Sequence, residues 1–143
     1  MAAFVKINQF VSDICRGVHN FTSDATSSIT LALTNAANAP VATNTVLANL
    51  TVIAYTNLSS RVVLITSEGQ TSGTEKLVLT DLVLTAAGGA VAAFRYLVMY
   101  NDDPTSPADP LIGWYDYGSD LTLADGETLT VDYSASNGVL QIV

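Results

Sequence analysis

The chain is organised around residues 91–132, which read VAAFRYLVMYND, then DPTSPADP, then LIGWYDYGSDLTLADGETLTVD. Val91–Tyr100 and Leu111–Tyr117 are rich in aromatic and β-branched residues, which favour strands. Between them, Asn101–Pro110 combines three prolines with Asp and Ser, which favour turns. The stretch therefore predicts two strands joined by a loop. The alternation in Glu127–Tyr133 predicts a further strand after an Asp-Gly turn.

Four segments outside this stretch also have the pattern of strands. Ser27–Thr34 alternates apolar with small residues and predicts a half-buried strand. Arg61–Thr66 is apolar and β-branched, which predicts a buried strand. Thr74–Thr85 predicts either one long strand or two short ones, because its leucines change phase near its middle. The Asn137-Gly138 pair predicts a hairpin that leads into a final strand, Val139–Val143.

The connecting segments are recognised by their polar residues and turn formers. Asn35–Asn44, Ser67–Gly73 and Gly118–Asp120 are predicted to be loops or turns. The Gly-Gly pair in Ala86–Ala90 predicts a tight turn. Thr45–Ala54 fits either a helical turn or a strand.

The first twenty residues carry the helical period of the chain. Apolar residues recur there at steps of three and four, at Phe4, Ile7, Phe10 or Val11, Ile14 and Val18. The pattern predicts an amphipathic helix of about three turns that ends at Gly17. In a shorter version of this helix, Asn8 or Ser12 would be the cap. Its apolar stripe either covers a sheet, as such stripes usually do, or docks on a partner.

Together these patterns predict a mainly β protein with an antiparallel β-sandwich or barrel-like fold and one N-terminal amphipathic helix. We expect a single domain over residues 1–143. Residues 1–20 would form the helix or an arm, and residues 27–143 the sandwich. Strands and helices do not alternate along the chain, so a parallel α/β sheet is not expected.

Charge and composition indicate which classes of partner the chain could bind: nucleic acid, membrane or protein. The net charge is −8 and the five basic residues are scattered, so we expect no nucleic-acid partner. No apolar run approaches the roughly 18 residues of a membrane helix, and the N-terminus lacks the pattern of a signal peptide. We therefore expect no membrane partner. Hydrophobic residues make up 49% of the chain, which indicates apolar surface covered by a partner or by further copies.

A catalytic site of the usual kind would use His19, the sole histidine, because imidazole is the common proton relay. Cys15 lies four residues earlier and would share its helix face. This spacing is common by chance, and no oxyanion loop accompanies it. The sequence therefore predicts a protein that is not an enzyme, with no catalytic residues and no cofactor.

Five aspartates cluster in or near the proline-rich loop, at Asp102, Asp103, Asp109, Asp116 and Asp120. Loop carboxylates can bind Ca²⁺, and paired carboxylates can cleave glycosides. The ligand spacing of an EF-hand is absent, and acidic loops are usually only solvated. We therefore predict no metal site, with calcium binding as the alternative.

Six aromatic residues lie on the two central strands, at Phe94, Tyr96, Tyr100, Trp114, Tyr115 and Tyr117. Our main interpretation is cross-strand packing, with Trp114 opposite an aromatic residue of the preceding strand. A protein interface and a carbohydrate platform are the alternatives.

Seven segments along most of the chain carry a family resemblance: KINQFVSDICRGVHN (6–20), SITLALTN (28–35), APVATNTVLANLT (39–51), QTSGTEKLV (70–78), FRYLVMYND (94–102), LIGWYDYGSDLTLADGETLTVD (111–132) and NGVLQI (137–142). Together they resemble the small capsid decoration, or cement, proteins of tailed bacteriophages. The resemblance implies a β-sandwich bound to the outside of an icosahedral shell, often as trimers at threefold positions, with no enzyme activity.

The resemblance also implies partners and a location. The partners would be the major capsid protein and further copies of the chain, as a homotrimer. The protein would be made in the host bacterial cytoplasm and reside on the capsid exterior of the virion. Its function would be to stabilise the capsid by bridging major capsid protein subunits. A tail-tube or other tail protein, and a receptor- or carbohydrate-binding fibre module, are the alternatives.

The predicted partner interface combines the N-terminal segment, the acidic loop and two aromatic residues. Its members are Phe4, Ile7, Phe10, Asp102, Asp103, Pro104, Asp109, Trp114 and Tyr117.

Overall fold

A computed structural model describes residues 4–23 and 29–143 of the chain. The α-helix α1 (Asn8–Cys15) follows a short strand, β1 (Val5–Lys6). The remaining strands are β2 (Ile29–Thr34), β3 (Val62–Val63), β4 (Ile65–Thr71), β5 (Thr74–Leu79), β6 (Leu82–Thr85), β7 (Phe94–Asn101), β8 (Leu111–Leu121), β9 (Thr128–Val131) and β10 (Leu140–Ile142). Two 3₁₀ turns cover Ala36–Asn38 and Leu47–Asn49.

The strands form antiparallel sheets. The largest sheet has the order β1-β8-β7-β2-β3, a second has the order β10-β5-β4, and β6 pairs with β9. Just after β3, the amide of Thr80 donates a hydrogen bond to the carbonyl of Leu64 over 2.9 Å.

The antiparallel sheets and the single α-helix near the N-terminus of the described residues confirm the predicted mainly β class.

The core is built on the central strands of the five-stranded sheet. Fully buried side chains include Leu31 and Leu33 of β2, Leu97 of β7 and Ile112 of β8. All six residues of β2 are buried, so the prediction of a half-buried strand is wrong. β2 lies between β7 and β3, and its threonines and alanine are small enough to be covered on the second face. Ser27 and Ser28 of the predicted strand lie outside the described residues.

The N-terminal helix is shorter than predicted. Val5 and Lys6 pair with Trp114 and Gly113 of β8, so the chain is extended before the helix begins. The N-cap is Ile7 in an extended conformation without a side-chain cap, and the predicted caps Asn8 and Ser12 are therefore wrong. The other end is confirmed, because Gly17 has φ +69° just after the helix. Residues 1–3 of the predicted helix lie outside the described residues.

Two predicted turns are strands. Residues 67–71 of the predicted loop Ser67–Gly73 belong to β4, which pairs with β5. The side chains of β4 after Ile65 are exposed, so they give no apolar alternation from which a strand could be predicted. Likewise, Gly118–Asp120 continues β8, which runs on to Leu121.

Other predictions are settled by strand pairing. Thr74–Thr85 forms two strands, β5 and β6, which belong to different sheets. Arg61–Thr66 is half-buried, since Val62 and Leu64 are exposed while Val63 and Ile65 are buried. Asn137-Gly138 does not form a hairpin, because β9 pairs with β6 and β10 pairs with β5. Its turn instead carries the chain from one sheet to another.

Candidate partner-binding surfaces

Three residues of the predicted interface are core residues. Ile7, the N-cap of α1, is fully buried, and Phe10 of α1 is 4% exposed, and both belong to the hydrophobic core. Trp114 is 9% exposed and lies between Val5 of β1 and Val98 of β7. The assignment of these three side chains to a partner contact is thus corrected. The expectation that Trp114 faces an aromatic residue is also wrong.

Phe4, a further residue of the predicted interface, is neither fully buried nor fully exposed. It is half-buried, and its ring centroid lies 5.2 Å from that of Tyr115. A Cβ atom at Gly113 would overlap the Phe4 ring and approach the carbonyl oxygen of Val5 to 2.6 Å. Phe4 therefore holds β1 against the sheet rather than projecting towards a partner.

The acidic loop Asn101–Pro110 is held in place by its own hydrogen bonds and by its neighbours. The Asn101 side chain accepts a bond from the Asp103 amide over 3.1 Å, and the Asn101 amide donates to the Pro110 carbonyl over 3.0 Å. The Leu47 amide donates to the Asp109 carbonyl over 2.9 Å. Asp102 and Asp103 are exposed on this braced loop, while Pro104 and Asp109 are half-buried.

The loop concentrates negative charge at one point of the surface. Partial burial raises the pKa of Asp109, and the neighbouring Asp102 carboxylate raises the pKa further through repulsion and a hydrogen bond. The two carboxyl groups are therefore close enough to repel each other. A positive group from a partner would relieve this repulsion.

The other two aspartates of the predicted cluster have separate partners. Asp116 forms an ion pair with Arg95, with 2.7 Å between its Oδ1 and Nε. Asp120 accepts a bond from the Ala36 amide over 2.9 Å. Within residues 4–23 and 29–143, no group of three His, Cys, Asp or Glu side chains is arranged to hold a metal ion.

The aromatic residues of the central strands do not form an exposed platform. Phe94 is fully buried, Tyr100 is 5% exposed, and Tyr96 and Tyr115 are half-buried. Tyr117 alone of the six is exposed, at 45%. A sugar platform needs an exposed ring face, so the arrangement favours cross-strand packing, with Tyr117 as the residue available to a partner.

Cys15 and His19 do not share a helix face, because α1 ends at Cys15. Cys15 is exposed. His19 is 9% exposed and its ring lies 5.1 Å from the rings of both Phe10 and Phe21. Burial lowers the pKa of His19 to about 4, against the opposing effect of Asp13. His19 is thus a neutral core residue at neutral pH.

An apolar groove between α1 and the β10-β5-β4 sheet was not predicted from the sequence. We call it the α1–β10 groove, and define it by Phe10, Ile14 and Phe21 on one wall and Leu77, Leu140 and Ile142 on the other. It encloses about 210 Å³ and adjoins a cleft of about 350 Å³ at Val11, Cys15 and Val143. The signal in the sequence was the apolar side of α1 together with the apolar alternation of β10.

Comparison of the chain with protein-family models, with curated proteins and with solved structures finds no match. In the described part of the chain, no helix has the length and hydropathy needed to cross a bilayer.

Proposed function

We propose that this chain is a capsid decoration protein that binds the outside of an icosahedral bacteriophage capsid and stabilises it by bridging major capsid protein subunits. It would act without catalysis or a cofactor and would reside on the virion exterior. The resemblance in sequence suggests this role, and the antiparallel β fold is compatible with it.

The observation that carries the proposal is the braced acidic loop. Asp102 and Asp103 are exposed on a segment whose backbone is tied to residues 47 and 110. A loop that is already ordered loses little conformational entropy when it binds. Its carboxylates would pair with basic groups on the capsid, and Tyr117 would supply apolar contact area.

The proposed mechanism is mechanical. Each copy contacts two neighbouring capsid subunits, so separating the subunits also breaks its contacts. A standard protein interface buries about 800 Å² per partner, and many such contacts on one shell reinforce each other through multivalency. If the contact surface exists only on the expanded shell, binding stabilises that state over the precursor by mass action.

Binding to capsids of the phage that encodes the chain tests the proposal. The variant Asp102→Asn/Asp103→Asn removes two charges from the loop, and Asp125→Asn/Asp132→Asn removes two exposed charges elsewhere as a matched control. We expect the loop variant to bind at least about tenfold more weakly than the control, with a smaller salt dependence. Equal occupancy of capsids by the two variants would contradict the role of the loop.

The same preparation separates the alternatives. A tail-tube protein would assemble into rings or tubes and would not bind capsids, and a fibre module would bind glycans. The homotrimer that the resemblance implies stays a prediction for copies bound at threefold positions of the capsid, and it is distinct from the dimer of isolated molecules inferred below.

A further inference from the structure

We propose that the free edge of β10, together with the cleft that adjoins the α1–β10 groove, is the contact between two copies of this chain, formed by antiparallel pairing of β10 with the β10 strand of a second copy. This inference does not depend on a capsid, because the contact would form between isolated protein molecules.

The first reason is the free edge of β10. Throughout the described ranges, β10 pairs with β5 alone, so its other edge presents unpaired backbone groups. Folded monomers usually protect such an edge with a lysine, a proline or a bulge. β1 is two residues long and contains Lys6, and β4 has a register shift between Ile65 and Ser67. β10 reads Leu-Gln-Ile and has no lysine, proline or bulge, so the only protection of its edge is its length of three residues.

The second reason is the apolar surface beside that edge. Ile142 is 47% exposed, and Val11 of α1 is 48% exposed on the same cleft. Cys15 also lines this cleft and is exposed. A strand that pairs with the edge of β10 would also cover the exposed side chains of Ile142 and Val11. Burial of this apolar surface favours association.

The third reason is charge, and it identifies the occupant. The chain has a net charge of −8, and its exposed acids outside the groove include Asp102, Asp103, Asp120, Asp125, Glu127 and Asp132. The groove and its cleft contain few charges, of both signs: Glu68 and Glu75 at one end and Lys6 at the other. A basic partner would be attracted to the acidic surfaces elsewhere. A second acidic copy can approach closely only where charges are few and mixed.

Symmetry supports the same occupant. A strand that pairs antiparallel with its own copy is related to it by a twofold axis, and such an interface must be complementary to itself. The pairing would join the two β10-β5-β4 sheets into one sheet of six strands. Both α1 helices would lie over the same face of that sheet.

The test is the solution mass by light scattering across a range of concentrations. We expect a mass near twice the 15.0 kDa of one chain. In the variant Ile142→Lys, the new lysine faces Glu75 of β5 in the same chain, so the fold is maintained while the edge is protected. We expect its dimer Kd to rise about tenfold or more. The matched control is Val83→Lys, at a residue 49% exposed on β6, and its mass should equal that of the wild type.

A second readout is the reaction of Cys15 with N-ethylmaleimide. We expect the reaction to slow as the concentration of wild-type protein rises, and to be independent of concentration in the Ile142→Lys variant. A mass of one chain at every concentration, or an assembly of any size that survives Ile142→Lys, would overturn the inference. Since no capsid is present in either measurement, failure here leaves the proposed capsid role to its own test.

Discussion

The buried His19 makes a quantitative prediction about stability against pH. Its Nδ1 lies 3.4 Å from the Asn101 side-chain nitrogen, and its Nε2 is buried with no hydrogen-bond partner in the described structure. Burial between two phenylalanine rings lowers the pKa from 6.5 to about 4. The folded state therefore disfavours the imidazolium, while the unfolded chain accepts the proton at the ordinary value.

The direction in which the free energy of unfolding changes with pH depends on which state of the chain, folded or unfolded, binds a proton at His19. Above pH 6.5 the imidazole is neutral in both states, and its full contribution to stability is present. Between pH 6.5 and about 4, the unfolded chain is protonated while the folded chain is not, so the free energy of unfolding falls as pH falls. Each pKa unit corresponds to about 1.4 kcal/mol, so the full shift corresponds to about 3.4 kcal/mol. Roughly 2 to 3 kcal/mol of it is lost by pH 4, because the folded imidazole is then itself about half protonated.

The substitution His19→Phe isolates this contribution. Phenylalanine keeps a ring between Phe10 and Phe21 and removes the titration. The loss of the contact with Asn101 shifts the curve by an amount that is constant with pH. Urea unfolding, followed by the fluorescence of the buried Trp114 at each pH, gives the free energy of unfolding of both proteins.

We expect the wild type to lose roughly 2 to 3 kcal/mol relative to His19→Phe between pH 7 and pH 4. Titration of the imidazole by NMR should give the same low pKa directly. Parallel stability curves for the two proteins, or an imidazole pKa near 6.5, would refute the reasoning.

Three further substitutions test the packing, the first two by the same urea assay and the third by light scattering. Leu97→Ala, at a residue 1% exposed on β7, should cost about 2 to 5 kcal/mol; a loss below about 1 kcal/mol would mean that β7 is not central to the core. Gly113→Ala should cost about 1 to 3 kcal/mol, because the new Cβ meets the Phe4 ring and lies 2.6 Å from the Val5 carbonyl oxygen; unchanged stability would mean that β1 does not pair there. Gly138→Ala places a Cβ 2.5 Å from the Leu77 carbonyl oxygen at φ +71°, so it should displace β10 and weaken the dimer in light scattering; a full-strength dimer would contradict the role of β10.

The sequence predicts this fold best where one face of a strand is apolar. The alternation in Glu127–Tyr133 and the aromatic run before Tyr100 correspond to β9 and β7. The sequence does not predict β4, because the side chains of this strand after Ile65 are exposed. There the strand is specified by pairing with β5, which depends on residues elsewhere in the chain. The Asn-Gly pair at 137–138 fails for a similar reason, since long-range pairing of β10 with β5 overrides a local turn preference.

The candidate surfaces also differ in how well the sequence predicts them, because some are formed by neighbouring residues and others by distant segments. The acidic loop is a local feature, so its position and exposure follow from composition alone. The N-terminal apolar stripe favours burial in the core over docking, and Ile7 and Phe10 are buried; the error lies in assigning the same two side chains to a partner contact. The α1–β10 groove joins segments more than a hundred residues apart in the chain, so it becomes visible only when the elements are placed together.

The proposed capsid role is tested most directly by cryo-electron microscopy of virions of the phage that encodes the chain. The proposal predicts density on the outer surface of the shell into which the β fold fits, with its acidic loop against two adjacent major capsid subunits. Density for the chain in the tail, or shells that lack it while the virion contains it elsewhere, would contradict the proposal.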